Sequence, residues 1–159
     1  MDRDDFKMTT GGSDDYRPLT LDGIEKMQKN AKGLRSLVKR PDFLISSSLT
    51  RAQQTSEILQ SVWTGLDVIT IDQLRPTAKV QALADSLNAL VKPEMTSPTF
   101  VIVGHEPHLT KAVTWFLRGP QGRPLVELKK GGACLLEFPE SFAKASATLK
   151  WLATPRMLR

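Results

Sequence analysis

The sequence predicts an α/β fold: a three-layer sandwich in which a mostly parallel central sheet is flanked by helices. Three observations predict it. Segments with a helical apolar stripe alternate with short apolar runs, notably Phe43-Leu44-Ile45 and Phe100-Val101-Ile102-Val103. Those runs are near-continuously apolar, which suits strands covered on both faces. Directly after each stand residues that carry chemistry, where loops leave the carboxyl ends of parallel strands.

Residues 1–18 lack periodicity, include Gly11-Gly12-Ser13-Asp14-Asp15, and read as loop. Thr20 is an N-cap candidate for a first helix over 21–39, with Ile24, Met27, Ala31, Leu34 and Val38 on one stripe and Pro41 as its stop. A strand follows at 43–45. The second helix runs from Thr50 to Trp63, with Ala52, Thr55, Ile58, Leu59 and Val62 inward and Gly65 closing it. Val68 to Ile71 is the next strand. Arg75-Pro76 opens a loop before a third helix over 78–90, bounded by Pro93. Pro98 precedes the strand 100–103, and Pro107 suits the first position of a fourth helix that ends at Gly119-Pro120. Residues 125–128, 133–138 and 147–152 read as closing strands, able to add antiparallel pairs at an edge.

At 159 residues, the expected organisation is one domain over 1–159, without repeat or linker. The lone Cys134 cannot form an internal disulfide, and the reading is cytoplasmic. No apolar stretch reaches the length of a membrane span, so no membrane partner is expected. The net charge is +5, but Asp2, Asp4, Asp5, Asp14 and Asp15 against Arg3 and Lys7 make residues 1–15 acidic and the rest strongly basic. A basic body favours anionic partners. Lys and Arg are scattered without interleaved aromatics, which speaks for a solvated surface over a nucleic-acid face.

Arg51 falls in the first turn of the second helix, where the macrodipole disfavours a cation by about 0.3–1 kcal/mol unless an anion shares the site. Its plain alternative is an exposed arginine pairing with Glu57. His105 ends an apolar strand and can stabilise a phosphate oxygen or move a proton; alone, it would be a structural hydrogen-bonding residue. Glu106 offers a general acid or a helix cap. His105 and His108 form His-x-x-His without a further ligand cluster, and no metal or cofactor is expected. Arg17 is either a second phosphate ligand at the pocket rim or a loop arginine holding Asp14 or Asp15. Gly11-Gly12-Ser13 lacks the lysine of a phosphate-binding P-loop.

Arg17-Pro18-Leu19-Thr20 with Gly23, Ser47-Ser48-Leu49-Thr50-Arg51-Ala52-Gln53-Gln54-Thr55, and Gly104-His105-Glu106-Pro107 together resemble the SixA-like branch of the histidine phosphatase superfamily. The resemblance spans nearly the whole chain and implies a phosphoglycerate mutase-like fold. It implies metal-independent hydrolysis of a phosphohistidine or phosphomonoester through a phosphohistidine intermediate, on a phosphorylated protein or a small phosphorylated substrate. Arg51 would bind the phosphoryl group, His105 would stabilise it, and Arg17 would be a rim ligand. Ser48 stands where the family usually has proline.

Members of that family open with a strand ending in Arg-His-Gly, whose histidine attacks phosphorus. Met1-Asp2-Arg3-Asp4-Asp5 begins just after the point where that element belongs, and both histidines come much later. The expectation is therefore an N-terminally truncated domain, inactive as it stands, whose native start lies about a dozen residues earlier. The alternatives are a nucleophile-less phosphate- or phosphoprotein-binding module and, from a different class, a basic nucleic-acid-binding domain.

Overall fold

The structure is a computed structural model and describes residues 13–159. Its centre is β1 (Phe43–Ser46), lying between β2 (Val68–Thr70) and β3 (Phe100–Val103), all three parallel. Parallel neighbours require crossovers. These contain α2 (Thr50–Val62) between β1 and β2, and α3 (Val80–Leu90) between β2 and β3.

Alternation along β1 divides the core. Leu44 packs with Ala31, Leu34, Ala52, Leu59 and Trp63, beneath α1 (Leu21–Leu37) and α2. Ile45 points the other way, into Leu83, Ala84, Leu87, Ala112 and Phe116 from α3 and α4 (His108–Arg118). One strand flanked by two apolar layers is what a period of two requires when both faces are covered. The expected α/β sandwich is the observed one.

Local chemistry sets the ends of the elements. Thr20 Oγ1 accepts the Gly23 N–H at 3.0 Å and caps α1. The helix ends at Leu37, two residues before the sequence suggested, because Val38 is already extended. Arg35 then turns back to donate to the Lys39 carbonyl at 3.1 Å. Gly65 follows α2 with φ +74°, a conformation favouring glycine. Near the C-terminal end of α1, the closing segment of the chain passes so closely that a Cβ on Gly33 would lie 1.9 Å from the Leu158 carbonyl oxygen.

Three expectations change. Residues 125–128 form no strand: Leu125 is exposed, and its N–H is taken at 3.2 Å by Thr114 Oγ1 rather than by a ladder. Within the stretch read as loop, Asp14–Tyr16 make a 3₁₀ turn started by Ser13, with a second such turn at Asp72–Leu74. Helix α4 begins at His108, which moves Pro107 into the capping position. The closing strands β4 (Ala133–Glu137) and β5 (Thr148–Ala153) form a separate antiparallel pair. Stacked and edge-on contacts running Phe43, Phe100, Phe142, Phe138 and Phe116 join this pair to the α4 side. The expected opening strand and the reading of residues 1–12 lie outside the described residues.

Candidate anion-binding site

Two strand-to-helix junctions meet at the carboxyl rim of the parallel sheet. At the first, Ser46-Ser47-Ser48 leads into α2, whose capping residue Leu49 has no side chain to offer the first-turn N–H groups. Arg51 sits in that turn. Its Nη1 donates to the Asp14 carbonyl at 2.7 Å and its Nη2 to Asp14 Oδ2 at 2.9 Å. Arg17 Nε reaches the other carboxylate oxygen, Oδ1, at 3.0 Å. One carboxylate is thus held by two half-buried guanidiniums. Burial raises the Asp14 pKa, but Arg51 and Arg17 outweigh it and hold the carboxyl below its ordinary value.

At the second junction, His105 is 7% exposed, and its Nε2 lies 3.0 Å from Ser47 Oγ. Ser47 itself is fully buried and its N–H donates to the Val103 carbonyl, which binds the two junctions together. Burial first, and the nearby Arg51 charge second, push the His105 pKa from 6.5 down to about 4. The imidazole is neutral at physiological pH. Glu106 is exposed, and its Oε1 accepts the Thr110 N–H at 3.2 Å, capping α4. His108 turns inward and is 1% exposed, with burial lowering its pKa against the opposing pull of the Ala78 backbone.

The structure therefore brings Arg17, Arg51 and His105 to one place, gives Glu106 a capping bond and buries His108. Arg51 pairs with Asp14 where the sequence offered Glu57. Among the described residues, no three His, Cys, Asp or Glu side chains gather as a metal site. Within the Arg-Ala-Gln-Gln-Thr stretch, Gln54 accepts the Leu19 N–H at 2.7 Å, Gln53 donates to the Ser47 carbonyl at 2.5 Å and Thr55 bonds back to Arg51. The two glutamines tie the first turns of α2 to the segments at Leu19 and Ser47.

The sequence offered Asp14 only as one of two partners for Arg17, the pair that forms here, and assigned no role to Ser47 or Arg75. Arg75 Nη2 binds Asp15 Oδ2 at 2.5 Å, while its Nη1 donates to Ser48 Oγ at 3.0 Å. The signal for Asp14 was its spacing of three before Arg17; the other two carried none. A separate depression of about 460 Å³, lined by Arg40, Phe43, Gly65 and Asp67, opens at the amino ends of β1 and β2, away from this rim.

The sequence model of the histidine phosphatase superfamily (branch 1) matches residues 6–82, a span holding Arg17, Ser47, Arg51 and Arg75. Over that span, just under half of the chain, the sequence is similar to the histidine phosphatase superfamily. Among solved structures, that of the protein histidine phosphatase SixA complexed with tungstate is similar at 21% identity and a TM-score of 0.79, over 93% of this chain and 90% of that one. A protein assigned as a SixA phosphohistidine phosphatase from Agrobacterium tumefaciens matches at 22% and 0.67, over 92% and 89%. A phosphoserine phosphatase from Entamoeba histolytica, in complex with 3-phosphoglyceric acid, matches at 18% and 0.63, over 89% and 87%. At such identities the likeness to these three phosphatases is one of fold. No curated protein matches the chain by sequence. No helix among the described residues is long and apolar enough to cross a membrane.

Proposed function

We propose that this chain is a SixA-like histidine phosphatase domain that engages the phosphoryl group of a phosphohistidine, on a protein or in a small phosphorylated substrate, without a metal. The observation that supports it is the convergence of Arg17 and Arg51 on one carboxylate beside a buried, neutral His105. In this reading the Asp14 carboxylate occupies the place of an anion, and an incoming phosphoryl dianion replaces it. Its three oxygens then take charge-assisted bonds from the guanidiniums and from the uncapped N–H groups opening α2. Bound negative charge raises the His105 pKa, so the imidazole becomes a better donor when the site is filled.

Hydrolysis by the superfamily's route needs an attacking imidazole. The sequence holds His105 and His108 alone. We assign His105 to stabilisation, since Ser47 fixes its Nε2, and His108 to packing. On this reading the 159 residues bind phosphate or tungstate and do not turn substrate over. A chain preceded by a strand ending in Arg-His-Gly hydrolyses a phosphohistidine peptide in chelator: the imidazole attacks phosphorus, the bond to the leaving nitrogen breaks, and water releases phosphate. The related reading, a phosphate- or phosphoprotein-binding module, shares the same site and lacks that second step.

Assaying both chains side by side, with mass spectrometry for a phosphorylated histidine, tests this. Turnover and an adduct in the extended chain alone support the phosphatase. Inactivity in both, with phosphate still bound through Arg51, leaves the binding module. Absence of phosphate binding in either overturns the site.

A further inference from the structure

Arg75 lies outside the arginine and histidine set just described, yet the fold aims it at the same turn. Its loop is firmly held: Leu74 is fully buried, the Arg75 N–H donates to Asp72 at 2.9 Å, and the Ala78 N–H donates to Arg75 at 3.0 Å. Its Nη1 rests on Ser48 Oγ, which in turn donates to Asp72 Oδ1 at 2.9 Å. Its Nη2 holds Asp15. Its charge reaches His105 and helps keep that imidazole neutral.

Asp14 and Asp15 are consecutive. One lies on Arg17 and Arg51, the other on Arg75, and their turn buries none of its residues. The two carboxylates therefore occupy two cationic positions one residue apart. The Arg75 pair is weaker, since both partners are more than a third exposed and solvent screens them.

We propose that Arg75 is a specificity-determining residue that reads a second acidic group, so that the preferred ligand is a phosphorylated peptide with a carboxylate on the residue adjoining the phosphorylated one. This rests on the phosphoryl-binding reading of Arg51. The phosphoryl group takes the place of Asp14, and the adjoining carboxylate takes that of Asp15. Arg75, fixed by Ser48, needs little rearrangement to accept it, which favours exchange of one carboxylate for another.

The test uses the 159-residue chain and stable probes: inorganic phosphate, and phosphoserine peptides flanked on both sides by Asp, flanked by Asn, or carrying the same Asp residues three positions away. At about 0.15 M salt, the Asp-flanked peptide should bind about three- to tenfold more tightly than the Asn-flanked one. Moving the Asp residues away should remove the gain, which separates adjacency from bulk charge. Arg75→Gln should bring the ratio of the two peptides to within about twofold, and Asp15→Asn should enlarge it. Equal affinity of the peptides in the unmodified chain, with phosphate still bound through Arg51, overturns the role of Arg75 alone. Failure of phosphate to bind, or binding indifferent to Arg51→Ala, overturns the phosphoryl-binding reading and this inference with it.

Discussion

The two junctions look alike in sequence, each an apolar strand giving way to a helix, but the fold uses them oppositely. After β1 the chain exposes charge: Arg51 is partly solvent-accessible and engaged by a carboxylate from 37 residues away. After β3 it buries an imidazole and keeps it uncharged against Ser47. The contrast separates two tasks. A permanent cation attracts and orients an anion at any ordinary pH, whereas a neutral histidine can donate or change protonation once the anion is present.

Removing the cation should cost most. Arg51→Ala should weaken phosphate or tungstate binding by about tenfold to a hundredfold, read by calorimetry, since it deletes two charge-assisted bonds. His105→Ala should cost less, about three- to tenfold, because it removes one donor and leaves the arginines in place. If the histidine variant proves the weaker binder, the division of labour is reversed. Asp14→Asn should act in the other direction and tighten phosphate a few-fold, having removed a competing charge; weaker binding would make Asp14 a brace for the arginines.

The last effect separates the junctions by pH. The folded chain keeps His105 neutral down to about pH 4, while its unfolded form takes a proton near 6.5. Stability is thus complete above that range and falls as pH drops from 6.5 to 4, with His108 adding in the same direction. Asp14, held below its ordinary 3.8, loses its contribution only at lower pH still. Thermal melts at a series of pH values should show this slope, shallower in His105→Gln.

The sequence made the element order and both junctions legible because each depends on local pattern: apolar runs, Thr20, Pro41, Gly65 and the residues following each strand. The strand expected at 125–128 failed because its apolar residues needed a partner, and a side chain of α4 took the backbone N–H instead. Of the site, Arg51 and His105 could be named from position. Asp15 and Arg75 could not, being 60 residues apart and meeting only through the tertiary fold. A carboxylate in Gly-Gly-Ser-Asp-Asp reads as a solvated turn until the arginine opposite it is known. Ser47 was hidden among three serines, and only the face it shares with His105 distinguishes it.

The notch in α1 at Gly33 has a consequence for how the chain is assembled. It admits the carbonyl of Leu158, a partner almost the whole described length away, and so closes a loop that contains nearly every other element. Closing so long a loop is entropically slow and is rewarded only once the intervening parts are in place. Docking of that carbonyl is therefore expected late in folding, and the missing methyl at residue 33 is what leaves room for it.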